Sequence, residues 1–133
     1  MEIDTVYDYC ISKKGAKEDF PFDKDTLTFK VGGKIFTLLS LSDWEAGKRS
    51  VNLKCDPERA EELRERYEEI IPGYHMNKKH WNTISCKNAI TFQLLRELID
   101  HSYDLVWQSL SKKIREEIEQ DEKKLPFLTT FSE

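Results

Sequence analysis

A chain of 133 residues, 38% apolar and 35% charged, has room for one domain with one core and a well-solvated surface. No apolar run approaches the length of a membrane helix, and the opening MEIDTVYDYC carries acids where a secretory signal carries lysines, so a soluble cytoplasmic protein is expected. The net charge of −4 sets the chain apart from DNA-binding domains that are basic overall.

Charge is unevenly spread. Residues 1–25 hold four bases and seven acids, whereas 70–88 hold three lysines, two histidines and no acid. Cys10, Cys55 and Cys86 are odd in number, far apart and without a CxxC pair. They read as buried thiols, not a disulfide framework.

In chain order, Ile3, Val6, Tyr7 and Cys10 form one apolar helical stripe, and Gly15 is placed to end it. GAKEDFPFD follows as a loop. Leu27, Phe29 and Val31 alternate with Thr28 and Lys30 as a strand. Gly32-Gly33 is a two-residue hairpin turn, and Lys34 to Leu41 returns. A loop around Trp44 and Gly47 leads to a third strand, Ser50 to Cys55. Asp56 caps a helix with Pro57 at its first position, and the stripe Ala60, Leu63, Tyr67 and Ile70 or Ile71 carries it to Pro72-Gly73.

Tyr74 to Asn77 is a turn or short strand, and Lys79 to Cys86 a strand. Thr91 caps a helix with Phe92, Leu95, Leu98 and Ile99 on its apolar side. Ser102 restarts a helix carrying Val106, Leu110, Ile114 and Ile118. LPFLTTFSE is a loosely docked tail whose two Phe suggest contact with the body. The order predicts an α+β domain over 1–133, with a core about 1–112 and a helix end and tail over 113–133. Its helices should layer on one face of an antiparallel sheet.

Catalytic chemistry finds little footing. His75, His80, His101 and the cysteines lack a nucleophile motif, and Cys55 faces the apolar side of its strand. His75, His80 and Cys86 fall short of a structural zinc set, with no fourth ligand evident. The acid pairs Glu61-Glu62 and Glu68-Glu69 read as the solvated side of a helix. Gly32-Gly33-Lys34 joins strands where a phosphate loop would open a helix. No catalytic residue, metal site or cofactor is expected.

Binding is better supported. The sheet face opposite Leu27, Phe29, Val31, Val51 and Leu53 should show Thr28, Lys30, Asn52 and Lys54, groups suited to phosphates and base edges. Asn77, Lys78, Lys79, His80, Trp81 and Asn82 add basic residues around an aromatic, which can follow a phosphate backbone or enter a groove. The same residues also suit a plainer role, lysines blunting a strand edge and Trp81 packing in the core.

EDFPFD (18–23), FKVGGKIFTL (29–38), NLKCDPERAEEL (52–63), PGYHMNKKHWNTI (72–84) and ELIDHSYDLV (97–106) together resemble the MmcQ/YjbR family of small bacterial proteins. The resemblance implies a frataxin-like (CyaY-like) two-layer sandwich. It also implies double-stranded DNA binding through projecting β-hairpins that act as a double wing, with no enzymatic activity or cofactor. Carried over, the Gly32-Gly33 hairpin with Lys30 and Lys34 is one candidate wing, and Asn77-Lys78-Lys79-His80-Trp81 is the other. Lys34, Lys54, Lys78 and Lys79 would neutralise phosphates, while Asn77, His80 and Trp81 would meet sugar, base edge or groove wall. A monomer or weak dimer without membrane contact is expected. The rival reading is a protein-interaction or chaperone-like adaptor using the exposed sheet face. An iron-handling role would rest on fold analogy alone.

Overall fold

The computed structural model describes residues 1–73 and 76–132, with 124–132 described by backbone alone. Helix α1 (Ile3–Ile11) fully buries Val6 and Cys10, as its spacing requires. The following segment is not all loop. β1 (Lys17–Asp19) pairs antiparallel with β2 (Thr26–Val31), and β3 (Lys34–Ser40) completes the hairpin. Gly32 and Gly33 have φ of +57° and +81°, the left-handed values a two-residue connection needs. The Trp44 segment forms a short helix, α2 (Leu41–Glu45), with the Trp44 indole N–H donating to Ser50 O at 2.9 Å.

β4 (Ser50–Lys54) leads to α3 (Pro57–Arg66), whose first turn is capped as expected, Arg59 N–H donating to Asp56 Oδ2 at 3.2 Å. The helix stops earlier than its apolar stripe suggests. Tyr67 is extended, and Ile70 opens a strand, β5 (Ile70–Pro72). There Ile70 pairs with Ile84 of β6 (Trp81–Ser85) and is 2% exposed, so sheet burial overrides helical continuation. Glu68 and Glu69 accordingly lie in the connection, and Glu69 is buried rather than solvated. Expectations for Tyr74 and His75 lie outside the described residues.

Thr91 caps α4 (Phe92–Ser109), accepting from Leu94 N–H at 3.1 Å. Ser102 does not restart a helix; it sits inside α4. The break falls at Leu110, and Ser111 Oγ accepts from Ile114 N–H at 3.2 Å at the start of α5 (Lys112–Ser132). Over 125–132 the expected tail is therefore helical in its backbone, and the expected contacts of Phe127 and Phe131 lie outside what is described.

The six strands form one antiparallel sheet in the order β1-β2-β3-β4-β6-β5. Cross-strand partners share a face. Phe29, Thr37, Leu53 and Asn82 line up towards the helices, with α4 packed across β2, β3 and β4. A bulge after Phe29 keeps Phe36 on this inner side, fully buried. The outer row reads Asp19, Thr28, Leu38, Asn52, Thr83 and Ile71.

Candidate nucleic-acid interface

Because neighbouring strands alternate in direction, Lys30, Lys34, Lys54 and Trp81 all fall at one end of the sheet. The turn 77–80 projects from that same end. Lys54 and Trp81 are direct cross-strand partners on the outer face, with Cβ atoms on the order of 5 Å apart. On the other side of its strand Trp81 meets Gly73, where a Cβ would come within 2.8 Å of Trp81 Cβ, so glycine permits that close approach.

The turn is held from both sides. Asn77 O accepts from His80 N–H at 3.1 Å and Trp81 N–H at 3.0 Å, and its side-chain Oδ1 accepts from Lys79 N–H at 3.0 Å. Asn77, a residue expected to meet a ligand, thus shapes the turn. His80 is half-buried, its carbonyl accepting from Cys55 N–H at 2.8 Å. Lys78 and Lys79 are left exposed.

Arg64 of α3 braces the turn, and sequence reasoning passed over it. Its Nε donates to Asn82 Oδ1 at 2.7 Å, and Nη2 donates to Lys78 O and to Trp81 O at 3.3 Å. A fork of fixed donors is well suited to holding one loop at several points. The sequence signal was faint: one arginine among several in a charged helix. Arg64→Ala leaves the buried Asn82 oxygen without this donor. The expected cost is about 1–3 kcal/mol, read in urea unfolding, and Arg64→Lys should recover only part of it.

The lysines of the first hairpin are engaged with other parts of the chain. Lys30 Nζ pairs with Asp19 at 3.0 Å, and that hydrogen bond, with Phe20 N–H, lowers the Asp19 pKa. Lys34 Nζ donates to Ser109 Oγ at 3.2 Å and Ser109 O at 3.4 Å. Gly32 lies against Leu110, where a Cβ would meet both methyls at 2.7 Å, so this side of the hairpin is docked, not projecting. Between it and α5 runs a groove of about 860 Å³ whose lining holds Lys13, Lys17 and Lys30 against Glu18, Asp19, Glu117, Asp121 and Glu122. A polyanion finds no net attraction there.

The outer face is also less uniformly polar than its alternation suggests. Thr28 is fully buried, its hydroxyl donating to Asp19 O at 3.0 Å, and Leu38 is its neighbour on β3. Asn52 is engaged with Leu38 O at 3.4 Å and with the Thr83 hydroxyl at 2.6 Å. Among the described residues, the lysines of this sheet end that remain available are Lys54, Lys78 and Lys79.

Burial raises the thiol pKa of Cys10 and Cys86 to about 12 and of Cys55 to about 11. All three are free and buried. A thiol reagent at mildly alkaline pH should react at the rate of unfolding, and fast stoichiometric labelling of the native chain would contradict these positions. His101 Nε2 accepts from Asp56 N–H at 3.1 Å, and desolvation, then Arg59, lowers its pKa. Neutral His101 thus favours the folded state. That contribution is complete above the unfolded-state value and is lost as pH falls through the lower folded one. Urea midpoints should fall between neutral pH and pH ~5, and less so in His101→Gln.

These features define a small α+β protein whose six-stranded antiparallel sheet presents a braced basic turn at one end. The chain belongs to the YjbR family, whose model matches residues 11–105. It is 43% identical over 94 residues to YbdF of Escherichia coli, covering 71% of this chain and 75% of that one. With YjbR of Escherichia coli K12 it shares 30% identity over 103 residues, 77% of this chain and 85% of the other. Among solved structures, Deinococcus radiodurans DR2400, with a DUF419 domain, matches with a TM-score of 0.80 at 37% identity, over 88% of this chain and 87% of that one. A Pseudomonas syringae protein matches with a TM-score of 0.67 at 30% identity, over 80% and 99%.

Proposed function

We propose that this protein is a non-enzymatic, cytoplasmic binder of double-stranded DNA that meets the phosphate backbone with the turn 77–80 and its neighbours Lys54 and Trp81. The observation that carries the reading is the braced turn: two exposed lysines on a loop fixed at both ends, beside an indole and a third lysine. Preorganised cations release counterions from DNA without first losing loop entropy. The one-sided sheet suits the frataxin-like arrangement that the family resemblance implies, and the second of its two wings fits the turn better than the first fits the hairpin. Fluorescence anisotropy with a labelled duplex at several salt concentrations tests it. Binding that weakens linearly in log salt is expected; no binding at low salt would overturn the reading.

A protein-interaction adaptor is the second reading, favoured by Phe20 and Phe22, which are 42% and 68% exposed next to β1. A photocross-linker at Phe22 that captures a defined partner in cells would support it.

A further inference from the structure

At the opposite end of the outer face, β4 begins and β6 ends side by side, with Ser50 paired to Ser85. Lys48 and Arg49 lead into the first strand, and Lys87 follows the second; all three are exposed. Together with Ser50, Thr83 and Ser85 they line a cleft of about 390 Å³ in which, among the described residues, Asp43 is the one carboxylate. Its floor is fixed. Cys86 N–H donates to Arg49 O at 2.6 Å, Lys48 N–H to Asp43 O at 2.7 Å, and the Trp44 indole holds Ser50 O. The left-handed Gly47, φ +85°, brings Lys48 round to the cleft.

We propose that this cleft binds a phosphoryl group. Three cations against one carboxylate supply the charge, an arginine fork suits phosphate oxygens, and the hydroxyls of Ser50 and Ser85 add neutral donors on the same face. Glu2, 3.9 Å from Arg49, is a mostly exposed competitor that a doubly charged ligand displaces at small cost. The phosphoryl group can belong to a free phosphate ester or to a nucleic-acid backbone. β4 spans roughly 13 Å from Ser50 to Lys54, near the ~12 Å width of a DNA major groove, so one duplex can reach both ends of the sheet. That second source rests on the DNA reading; the cleft does not.

The test follows amide shifts of the ¹⁵N-labelled full chain during separate titrations with pyrophosphate and a duplex oligonucleotide at constant ionic strength. Pyrophosphate should move Ser50, Ser85 and Lys87 saturably. Lys48→Glu with Lys87→Glu should weaken this ~tenfold or more, the milder alanine pair less so, and Lys24→Glu, at an exposed lysine far from the cleft, should leave it unchanged. If the duplex moves both the cleft and Lys79, the ligand is backbone phosphate; if it moves Lys79 alone, the cleft serves a free ester. If pyrophosphate moves the cleft while the duplex moves nothing, the DNA reading falls and the cleft stands. Silence of Ser50, Ser85 and Lys87 towards both probes, or shifts spread evenly over all exposed lysines, overturns the proposal.

Discussion

On the proposed DNA reading, reversing the two exposed charges of the braced turn, Lys78→Glu with Lys79→Glu, should weaken duplex binding by ~60-fold or more at 0.1 M salt. Each phosphate contact contributes about 0.9 of a decade per decade of salt dilution, so losing two removes roughly 1.8 decades and lowers the salt slope by about the same number. The acidic remainder of the protein sharpens this expectation. With a net charge of −4, attraction must come from groups near the DNA, within a Debye length of about 10 Å. Lys24→Glu removes an exposed lysine in the β1–β2 connection and should change affinity only a few-fold. Equal losses in both variants would show that overall charge, not the turn, governs binding.

Ser102→Ala is expected to be the most destabilising of these substitutions. The Ser102 hydroxyl is fully buried, accepts from Lys54 N–H at 2.9 Å and donates to Phe36 O at 2.6 Å. It completes the ladder where β3 and β4 diverge beyond Thr37 and Leu53. Alanine leaves two interior backbone groups without these partners, at about 1–3 kcal/mol each. A loss of ~2–6 kcal/mol corresponds to a Tm drop of roughly 10–20 °C in calorimetry. Gln108→Ala, at an exposed position of the same helix, should stay within about 0.5 kcal/mol. A similar small effect for Ser102→Ala would mean that the strands close onto each other unaided.

What was legible in the sequence was local. Asp56 and Thr91 announce their helices because a cap and the amide it accepts from are three residues apart, and Gly32-Gly33 announces its hairpin by conformation alone. Ser102 misled for the same reason. Short polar side chains favour caps, whereas its partners lie 48 and 66 residues away and become visible only with the sheet assembled. Ile70 fits a helical stripe and a strand equally; pairing with Ile84 decides it. In the site, exposed Lys78 and Lys79 were readable from composition. The neutralisation of Lys30 was not, because Asp19 reaches it through a strand that the charged segment 17–19 hardly signals. Arg64 was hidden likewise, its worth depending on a loop 14 to 18 residues away.

Both margins of the sheet are three-residue strands. On one, Lys17, Glu18 and Asp19 are all exposed and charged; the other ends in Pro72, which has no amide hydrogen to offer. Copies of the chain thus find little to extend by strand addition, even when crowded. A protein built this way can accumulate to high local density without its sheets fusing into aggregates.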